Sequence, residues 1–136
     1  MKQVAAAILV VDNKVLICQR LPTCKNAPNI WEFPGGKIES GETASQCLKR
    51  ELFEELEIHP LEPFVPVTQV LVHYTEEFNL NFYLVTSYVG TIKLHSHQTY
   101  RWVGVEDPFP IDINDGLAWV KAKGLLFGKE VDVNKE

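Results

Sequence analysis

The sequence has no long hydrophobic run, since none of its apolar stretches approaches the ~18 residues of a membrane-spanning helix. Cysteine is scarce, with three residues, Cys18, Cys24 and Cys47, and no C-x-x-C pair. An odd number of such thiols argues against a disulfide-bonded secreted domain and favours a reducing compartment. Residues 1–3 lead directly into a strand-like segment rather than a signal peptide, so we expect a cytoplasmic protein that does not bind membranes.

An excess of positive charge is also absent, because 13 Lys and Arg are outnumbered by 18 Asp and Glu, for a net charge of −5. This balance gives no electrostatic reason to bind a nucleic-acid backbone. An acidic protein can still bind a small anion that a metal ion carries. With 136 residues, the chain is expected to form a single domain, 1–136, with its own hydrophobic core.

The most informative stretch is residues 31–58, WEFPGGKIESGETASQCLKRELFEELEI, which predicts a short strand, a glycine-rich turn and one helix. Thr43 and Gln46 match a capping box, so Thr43 is the predicted N-cap of this helix. Apolar residues recur at helical spacing and predict a stripe that faces the core. The stripe consists of Ala44, Cys47, Leu48, Leu52 and Leu56.

Three carboxylates lie close together on the polar side of this helix. At 100° per residue, Glu54 and Glu55 fall on either side of Glu51, within an arc of about 100°. Like charges at this spacing destabilise a helix by ~0.2–0.5 kcal/mol a pair, and the helix dipole disfavours anions near the C-terminus. Such an oxygen-rich cluster is typical of a site for a hard divalent cation, Mg²⁺ above all.

The spacing of the whole stretch resembles a known motif. Five residues separate Gly36 from Glu42, and seven more lead to the pair at 50–51, followed by LFEELEI. This is similar to the Nudix box, G-x5-E-x7-R-E-U-x-E-E-x-G-U with U aliphatic, at every fixed position except Glu57, where the family has glycine. Either Glu57 takes the left-handed conformation at a cost of about 1 kcal/mol, or the helix continues past it.

The resemblance implies a Nudix α/β/α sandwich with a mixed β-sheet between helices. The order of predicted elements favours the same α/β architecture. The predicted strands are Val4–Val11, Lys14–Gln19, Trp31–Phe33, Val67–Tyr74, Phe78–Val89 and Tyr100–Val105, and a last helix runs to about Leu126.

The resemblance also implies roles for the residues of the box. Glu51, Glu54, Glu55 and the Gly36 carbonyl are the implied ligands of Mg²⁺, with Mn²⁺ as a second possibility. Among them, Glu54 and Glu55 are also implied as catalytic residues.

Two further box residues have alternative interpretations. Arg50 is implied as a catalytic residue that braces Glu54, or it forms a surface pair with Glu54. Glu42 is implied to stabilise the loop, or it is a favourable charge near a helix N-terminus.

Within the family, the chain most resembles MutT-type and CTP-pyrophosphohydrolase-type enzymes, which cleave nucleoside triphosphates to the monophosphate and pyrophosphate. Arg20 falls at a substrate-contacting position of that group. Where the group often carries a glutamate as metal ligand or base, this chain has Ser96, whose hydroxyl cannot act as a base at neutral pH. We expect a box glutamate such as Glu54 or Glu55 to be the base, unless Mg²⁺ alone lowers the pKa of the water. We expect His97, interpreted as a surface histidine, to matter less than tenfold.

Recognition of the nucleobase is assigned to three residues, each with an alternative role. Phe33 either stacks on the base or fills the core. Asn114 and Asp115 either read the base edge or cap the last helix. An amide paired with a carboxylate suits a purine edge, so the sequence predicts a purine triphosphate, oxidised dGTP first.

The main hypothesis is therefore a Mg²⁺-dependent nucleoside triphosphate pyrophosphohydrolase that sanitises a nucleotide pool. One alternative keeps the catalysis but changes the substrate to another nucleoside diphosphate conjugate, such as ADP-ribose, a dinucleotide or a CTP analogue. A second alternative is a non-catalytic nucleotide-sensing Nudix domain. In all three cases the partner is a small nucleotide, and the protein is a monomer or a homodimer.

Overall fold

A computed structural model describes residues 1–73 and 75–127, and it confirms the expected mixed sheet between helices. The strands are β1 (Lys2–Val11), β2 (Lys14–Arg20), β3 (Trp31–Glu32), β4 (Gly35–Lys37), β5 (His59–Pro60), β6 (Val65–His73), β7 (Glu77–Val85), β8 (Tyr88–Val89) and β9 (His97–Gly104). The helices are α1 (Ala44–Leu56) and α2 (Ile113–Phe127). Neither of these helices is both long and apolar enough to span a membrane.

Strand β1 is the centre of the main sheet. It pairs in parallel with β7 on one side, and β6 pairs antiparallel with β7 beyond it. On its other side, β1 pairs antiparallel with β4 and, at its end, with β2. Strand β2 in turn pairs antiparallel with β3 and β9, while β5 and β8 form a separate two-stranded sheet. The glycine-rich turn is therefore attached to the central strand of the fold.

Both faces of the sheet are covered, which explains the continuous apolar run of β1. Ala6, Ile8 and Val10 belong to one buried cluster, together with Ala118, Trp119 and Ala122 of α2. Ala5, Ala7 and Leu9 belong to the other cluster, together with Cys47, Leu48, Leu52 and Leu56 of α1. Alternate residues of a strand point to opposite faces, so one strand can contribute to two cores.

Helix α1 begins and ends as its sequence signals indicate. The Thr43 hydroxyl accepts from the Gln46 N–H at 3.1 Å, and the Gln46 side chain accepts from the Thr43 N–H at 2.9 Å, which confirms the capping box. Glu57 has φ 56° and ψ 29°, and its N–H bonds to the carbonyls of Leu52 and Phe53. The left-handed alternative is therefore correct, and the helix does not continue.

Several predicted boundaries are wrong. Strand β7 ends at Val85 rather than Val89, because Tyr88–Val89 pairs with β5 instead, and β9 begins at His97 rather than Tyr100. The predicted end of β6 at position 74 lies outside the described residues.

Helix α2 is capped by neither of the two predicted residues. It begins at Ile113, and the Asp112 carboxylate accepts from the Asn114 N–H at 3.2 Å, so Asp112 caps it. The sequence DIND offers three capping side chains within four residues, and capping preference alone does not distinguish them.

Candidate active site

The glycine-rich turn passes so close to its neighbours that a side chain on either glycine would collide with one of them. A Cβ on Gly35 would lie 2.1 Å from the Ala5 carbonyl oxygen, and one on Gly36 would lie 2.3 Å from the Glu51 carboxyl carbon. The turn is thus fixed between β1 and α1, and the Glu51 carboxylate lies directly against Gly36. The structure brings these two predicted metal ligands together.

Arg50 connects the turn, the helix and the loop before it. Its Nε and Nη2 donate to the two oxygens of Glu42 at 2.7 and 2.9 Å, and its Nη1 donates to Glu51 at 2.8 Å. Glu54 lies farther away, at 3.3 Å from Nη1. The Arg50 hydrogen bond and the Glu39 N–H lower the pKa of Glu42 to about 2. Arg50 thus contacts Glu54 as predicted, but its closest partners are Glu42 and Glu51.

We expect Arg50→Lys to lower the melting temperature at neutral pH, because lysine keeps the charge but not the two-pronged contact with Glu42. The contact stabilises the fold above pH 4.5, the ordinary pKa of Glu42, and is lost as the pH falls toward about 2. The gap in melting temperature between wild type and variant should therefore close over that interval. Thermal unfolding at a series of pH values measures it.

The control for this prediction is Lys49→Ala, which removes the exposed pair with Glu62 and should change the melting temperature little. A gap for Arg50→Lys that is equally large at pH 2 would contradict the proposed role of the Glu42 carboxylate.

Glu55 differs from its neighbour Glu54 in its surroundings. The Glu54 side chain is 57% exposed, whereas Glu55 is 8% exposed. Burial, together with the nearby carboxylates of Glu51 and Glu32, raises the pKa of Glu55 to about 10. The sequence placed both residues on a solvated polar arc, which is wrong for Glu55 because residues of β3 and β9 cover it.

His97 is buried beside Glu55, contrary to its interpretation as a surface residue. Its Nε2 lies 3.0 Å from a carboxylate oxygen of Glu32, and its Nδ1 lies 3.7 Å from a carboxylate oxygen of Glu55. Arg20 donates to the other oxygen of Glu32 at 3.3 Å. We call Arg20, Glu32, His97 and Glu55 the buried network, although only His97 and Glu55 are buried, and the side chains of Arg20 and Glu32 are 32% and 27% exposed.

Sequence reasoning missed Glu32 and misplaced His97 at the surface. Glu32 alternates with Trp31 and Phe33, so its position on the opposite face was available from the period of a strand. The period of a strand could not place His97 in the site, because its position depends on the pairing of His97 in β9 with Arg20 in β2.

The residues predicted to read the base are only partly brought together. Asp115 is buried, and its carboxylate accepts from the Phe33 N–H at 2.9 Å. Burial raises the pKa of Asp115 to about 7, although the bond from Phe33 opposes this shift. Asn114 is the next residue on the helix, and its backbone N–H bonds to Asp112. A role of the Asn114 side chain in reading the base stays a prediction.

The Phe33 side chain is not available for stacking. It is 3% exposed and packs edge-on against Phe82, with ring centroids 6.4 Å apart. The core-filling interpretation of Phe33 is therefore correct, and only its backbone N–H lies in the site.

The donor set suits a hard divalent cation that needs further ligands. In residues 1–73 and 75–127, no three His, Cys, Asp or Glu side chains converge closely enough to hold an ion alone. However, Glu51 and Glu55 are neighbours, and the buried Oε2 of Glu55 has no hydrogen-bond partner among the described residues. Mg²⁺ commonly takes one or two carboxylates and completes its shell with water and substrate phosphate, so these residues fit it.

Comparison with known proteins agrees with this geometry. The family described as NUDIX domain matches residues 1–122. CTP pyrophosphohydrolase from Escherichia coli is 35% identical over 112 residues, covering 79% of this chain and 78% of that protein. An 8-oxo-dGTP diphosphatase from Haemophilus influenzae is 38% identical over 102 residues, covering 74% of each. The solution structure of the E. coli ORF135 protein superposes with a TM-score of 0.82 at 31% identity, covering 97% of this chain and 95% of that one.

The fold, the box and the match over residues 1–122 define an enzyme class. The chain belongs to the Nudix family. It is a Nudix hydrolase that resembles the MutT-type and CTP-pyrophosphohydrolase members, and the alternative of a non-catalytic nucleotide sensor is set aside.

Proposed function

We propose that this enzyme hydrolyses a nucleoside triphosphate to the monophosphate and pyrophosphate, with Mg²⁺ as its cofactor and Mn²⁺ as a possible substitute. Glu51, Glu54, Glu55 and the Gly36 carbonyl would hold the ion. The observation that carries this proposal is the buried Glu55 carboxyl, with an unpartnered oxygen, beside the Glu51 carboxylate under Gly36. A buried carboxylate beside a second carboxylate is costly unless a cation or proton compensates it.

The cation would neutralise phosphoanhydride oxygens and lower the pKa of a bound water. The chain's own residues would supply the remaining functions. Arg50 orients Glu51 through its 2.8 Å bond. Arg20 would bind a phosphate oxygen, since its buried Nε has no partner among the described residues. Glu54 is the proposed base, because it is exposed to solvent and can accept a proton from the attacking water.

Asp115 is proposed to select the nucleobase. One of its oxygens already accepts from Phe33, and an ionised carboxylate only accepts hydrogen bonds. A base with an exocyclic amino group can donate to it, whereas uracil and thymine offer a carbonyl there. The purine preference predicted from the sequence needs the Asn114 amide beside Asp115, whereas Asp115 alone can accept from the amino group of either a purine or cytosine. We therefore propose two candidate substrates, oxidised dGTP and CTP, which correspond to the names of the relatives and both carry such an amino group.

The test is a panel of nucleotides incubated with Mg²⁺, in which pyrophosphate and phosphate release are scored separately. The panel contains oxidised dGTP, dGTP, CTP, dCTP, UTP and dTTP, together with ADP-ribose and a dinucleotide. We expect pyrophosphate release, fastest from a base that carries an amino group. Turnover of only ADP-ribose or the dinucleotide would replace the proposal by the diphosphate-conjugate alternative.

Asp115→Asn is expected to change base selection without removing the contact with Phe33. The amide oxygen can accept from the Phe33 N–H, which leaves the NH₂ group to face the base. The ratio of kcat/KM for CTP over UTP should fall by about 10–100-fold, the effect of one mispaired buried polar group. Asp112→Asn at the helix cap is the matched control and should leave the ratio unchanged.

The same assay has a pH dependence with a defined sign. The pKa of Asp115 is about 7, so KM for CTP should fall as the pH rises through 7 and the carboxylate forms. Asp115→Asn should lack this change. A wild-type enzyme that prefers UTP, or a variant that keeps the CTP preference, would remove Asp115 from base recognition.

We further propose that the chain functions as one domain in a reducing cytoplasm. Support comes from the cysteines, since Cys18, Cys24 and Cys47 are all free. The proposed oligomeric state is a monomer or a homodimer.

A further inference from the structure

The buried network contains more unsatisfied polar atoms than any other part of the described chain. Its members include each of the three buried side-chain atoms without a hydrogen-bond partner in residues 1–73 and 75–127, namely His97 Nδ1, Glu55 Oε2 and Arg20 Nε. Such atoms cost free energy in a native fold. Arg20 Nε only donates and suits the phosphate oxygen proposed above, so His97 Nδ1 and Glu55 Oε2 are the two atoms that point to a missing cation. The His97 side chain is 3% exposed, which leaves it little access to water.

The hydrogen bond to Glu32 determines what His97 can offer to Glu55. An ionised Glu32 only accepts, so the Nε2 atom at 3.0 Å must carry the hydrogen. In the neutral imidazole, Nδ1 then has a lone pair, and that lone pair faces the Glu55 carboxylate. At 3.7 Å, the separation of Nδ1 from Glu55 Oε1 is too long for a hydrogen bond. A cation that displaces the Glu55 proton can bind both Nδ1 and the Glu55 carboxylate.

This arrangement matches the way proteins prepare a histidine for a metal. A metal-binding imidazole usually donates its other N–H to a carboxylate, which fixes the tautomer and the ring orientation. Here Glu32 is that carboxylate, and Arg20 holds its second oxygen. Ligands that lie ~2.0–2.2 Å from one ion are at most ~4 Å apart, and the distance between Nδ1 and Glu55 is within this limit.

We infer that His97 Nδ1 and the Glu55 carboxylate ligate the same divalent cation, so that this chain has a nitrogen ligand in its metal site. The inference rests on the proposed function for the presence of the cation. Ser96 stands where the related group often carries a glutamate, and the inference assigns the next residue, His97, as a metal ligand instead. It also replaces the expectation that His97 matters little.

A nitrogen ligand changes which metal the site prefers. Imidazole binds first-row transition metals more strongly than it binds Mg²⁺, which favours oxygen ligands and water. The site should therefore bind Mn²⁺ more tightly than an all-oxygen site would, while still accepting Mg²⁺ through Glu51 and Glu55. Loss of His97 should weaken Mn²⁺ binding more than Mg²⁺ binding.

The decisive experiment is pulsed electron paramagnetic resonance of Mn²⁺ bound to the wild-type protein. We expect a hyperfine coupling from a directly bound ¹⁴N nucleus, and we expect it to become a ¹⁵N coupling when only histidine is labelled with ¹⁵N. This readout needs no variant, so it does not depend on whether a substitution at a buried position folds. Bound Mn²⁺ without a histidine nitrogen coupling overturns the inference.

Two glutamine variants extend the test to affinity. His97→Gln can place its amide where Nε2 lies and keep a donor for Glu32, but it has no atom at Nδ1. We expect it to raise the Kd for Mn²⁺ at least ~10-fold, to change the Kd for Mg²⁺ less, and to abolish the nitrogen coupling. His95→Gln, on an exposed histidine that contacts Glu57, is the control and should change none of these.

The two proposals fail in distinguishable ways. If the enzyme releases pyrophosphate from nucleotides but its bound Mn²⁺ shows no nitrogen coupling, the proposed function is supported and His97 is rejected as a ligand. A clear nitrogen coupling without turnover of any nucleotide would retain the metal site and reject the proposed reaction.

Discussion

Glu55→Gln should lower kcat at least ~10²-fold and at the same time make the metal-free protein more stable. The loss of activity follows from the proposed role of Glu55 as a metal ligand, because a neutral amide binds a divalent cation poorly. The gain in stability follows from burial, which makes the carboxylate form of Glu55 unfavourable in the fold. One substitution should thus separate the requirements of function from those of folding.

The stability effect has a predictable dependence on pH. The pKa of Glu55 is about 10 in the fold and near its ordinary value of 4.5 in the unfolded chain. Between these values the native state binds more protons than the unfolded state, so wild-type stability falls as the pH rises. Glutamine has no proton to lose. The variant should therefore match the wild type below pH 4.5 and exceed it by roughly 2 kcal/mol or more at alkaline pH. Thermal unfolding in a metal chelator measures this difference.

Glu54→Gln is the matched control for this pair of effects. Glu54 is exposed, so its replacement should lower kcat by ~10²-fold, the scale for loss of a proton acceptor, without a gain in stability. Near-wild-type turnover of Glu55→Gln at saturating Mg²⁺ would remove Glu55 from the metal site. A Glu55→Gln protein that is no more stable than the wild type at high pH would mean that the carboxylate is compensated in the fold without a metal.

The box could be predicted from the sequence because its information is local. The capping box, the apolar stripe and the spacing from Gly36 to Arg50 depend on residues a few turns apart, and the structure keeps each of them. Even the departure from the motif at Glu57 left only two alternatives, a left-handed residue at the helix end or a helix that continues past it. The left-handed one occurs, with Glu57 in contact with His95.

The rest of the site could not be predicted because it depends on which strands pair and in which register. Helical spacing alone treats Glu54 and Glu55 alike, whereas the fold leaves Glu54 exposed and places Glu55 near Glu32 of β3 and His97 of β9. His97 comes to Glu55 by pairing opposite Arg20, 77 positions away in the sequence. A shift of one residue in that register would turn His97 to the other face of the sheet.

Gly36→Ala is expected to lower kcat by ~10²-fold or more while the fold remains intact. The new Cβ would lie 2.3–2.5 Å from the carboxyl atoms of Glu51, so that side chain must swing away toward solvent. A flexible side chain moves at a small cost in stability. A catalytic group displaced by about 1 Å can still reduce the rate ~10²-fold. The measurements are kcat at saturating Mg²⁺ and the free energy of unfolding.

Gly35→Ala, at the adjacent position, is expected to have the opposite effect and to destabilise the fold. Its Cβ would lie 2.1 Å from the Ala5 carbonyl oxygen and 2.7 Å from the Ala6 Cα, which are backbone atoms of the central strand. Backbone cannot move aside as a side chain can, so this variant should lose ~3 kcal/mol or more of stability. Gly116→Ala has open space around its Cβ and should be neutral or slightly stabilising. If Gly36→Ala unfolds as readily as Gly35→Ala, then Glu51 is fixed as rigidly as the strand, and the turn serves the fold before it serves the metal.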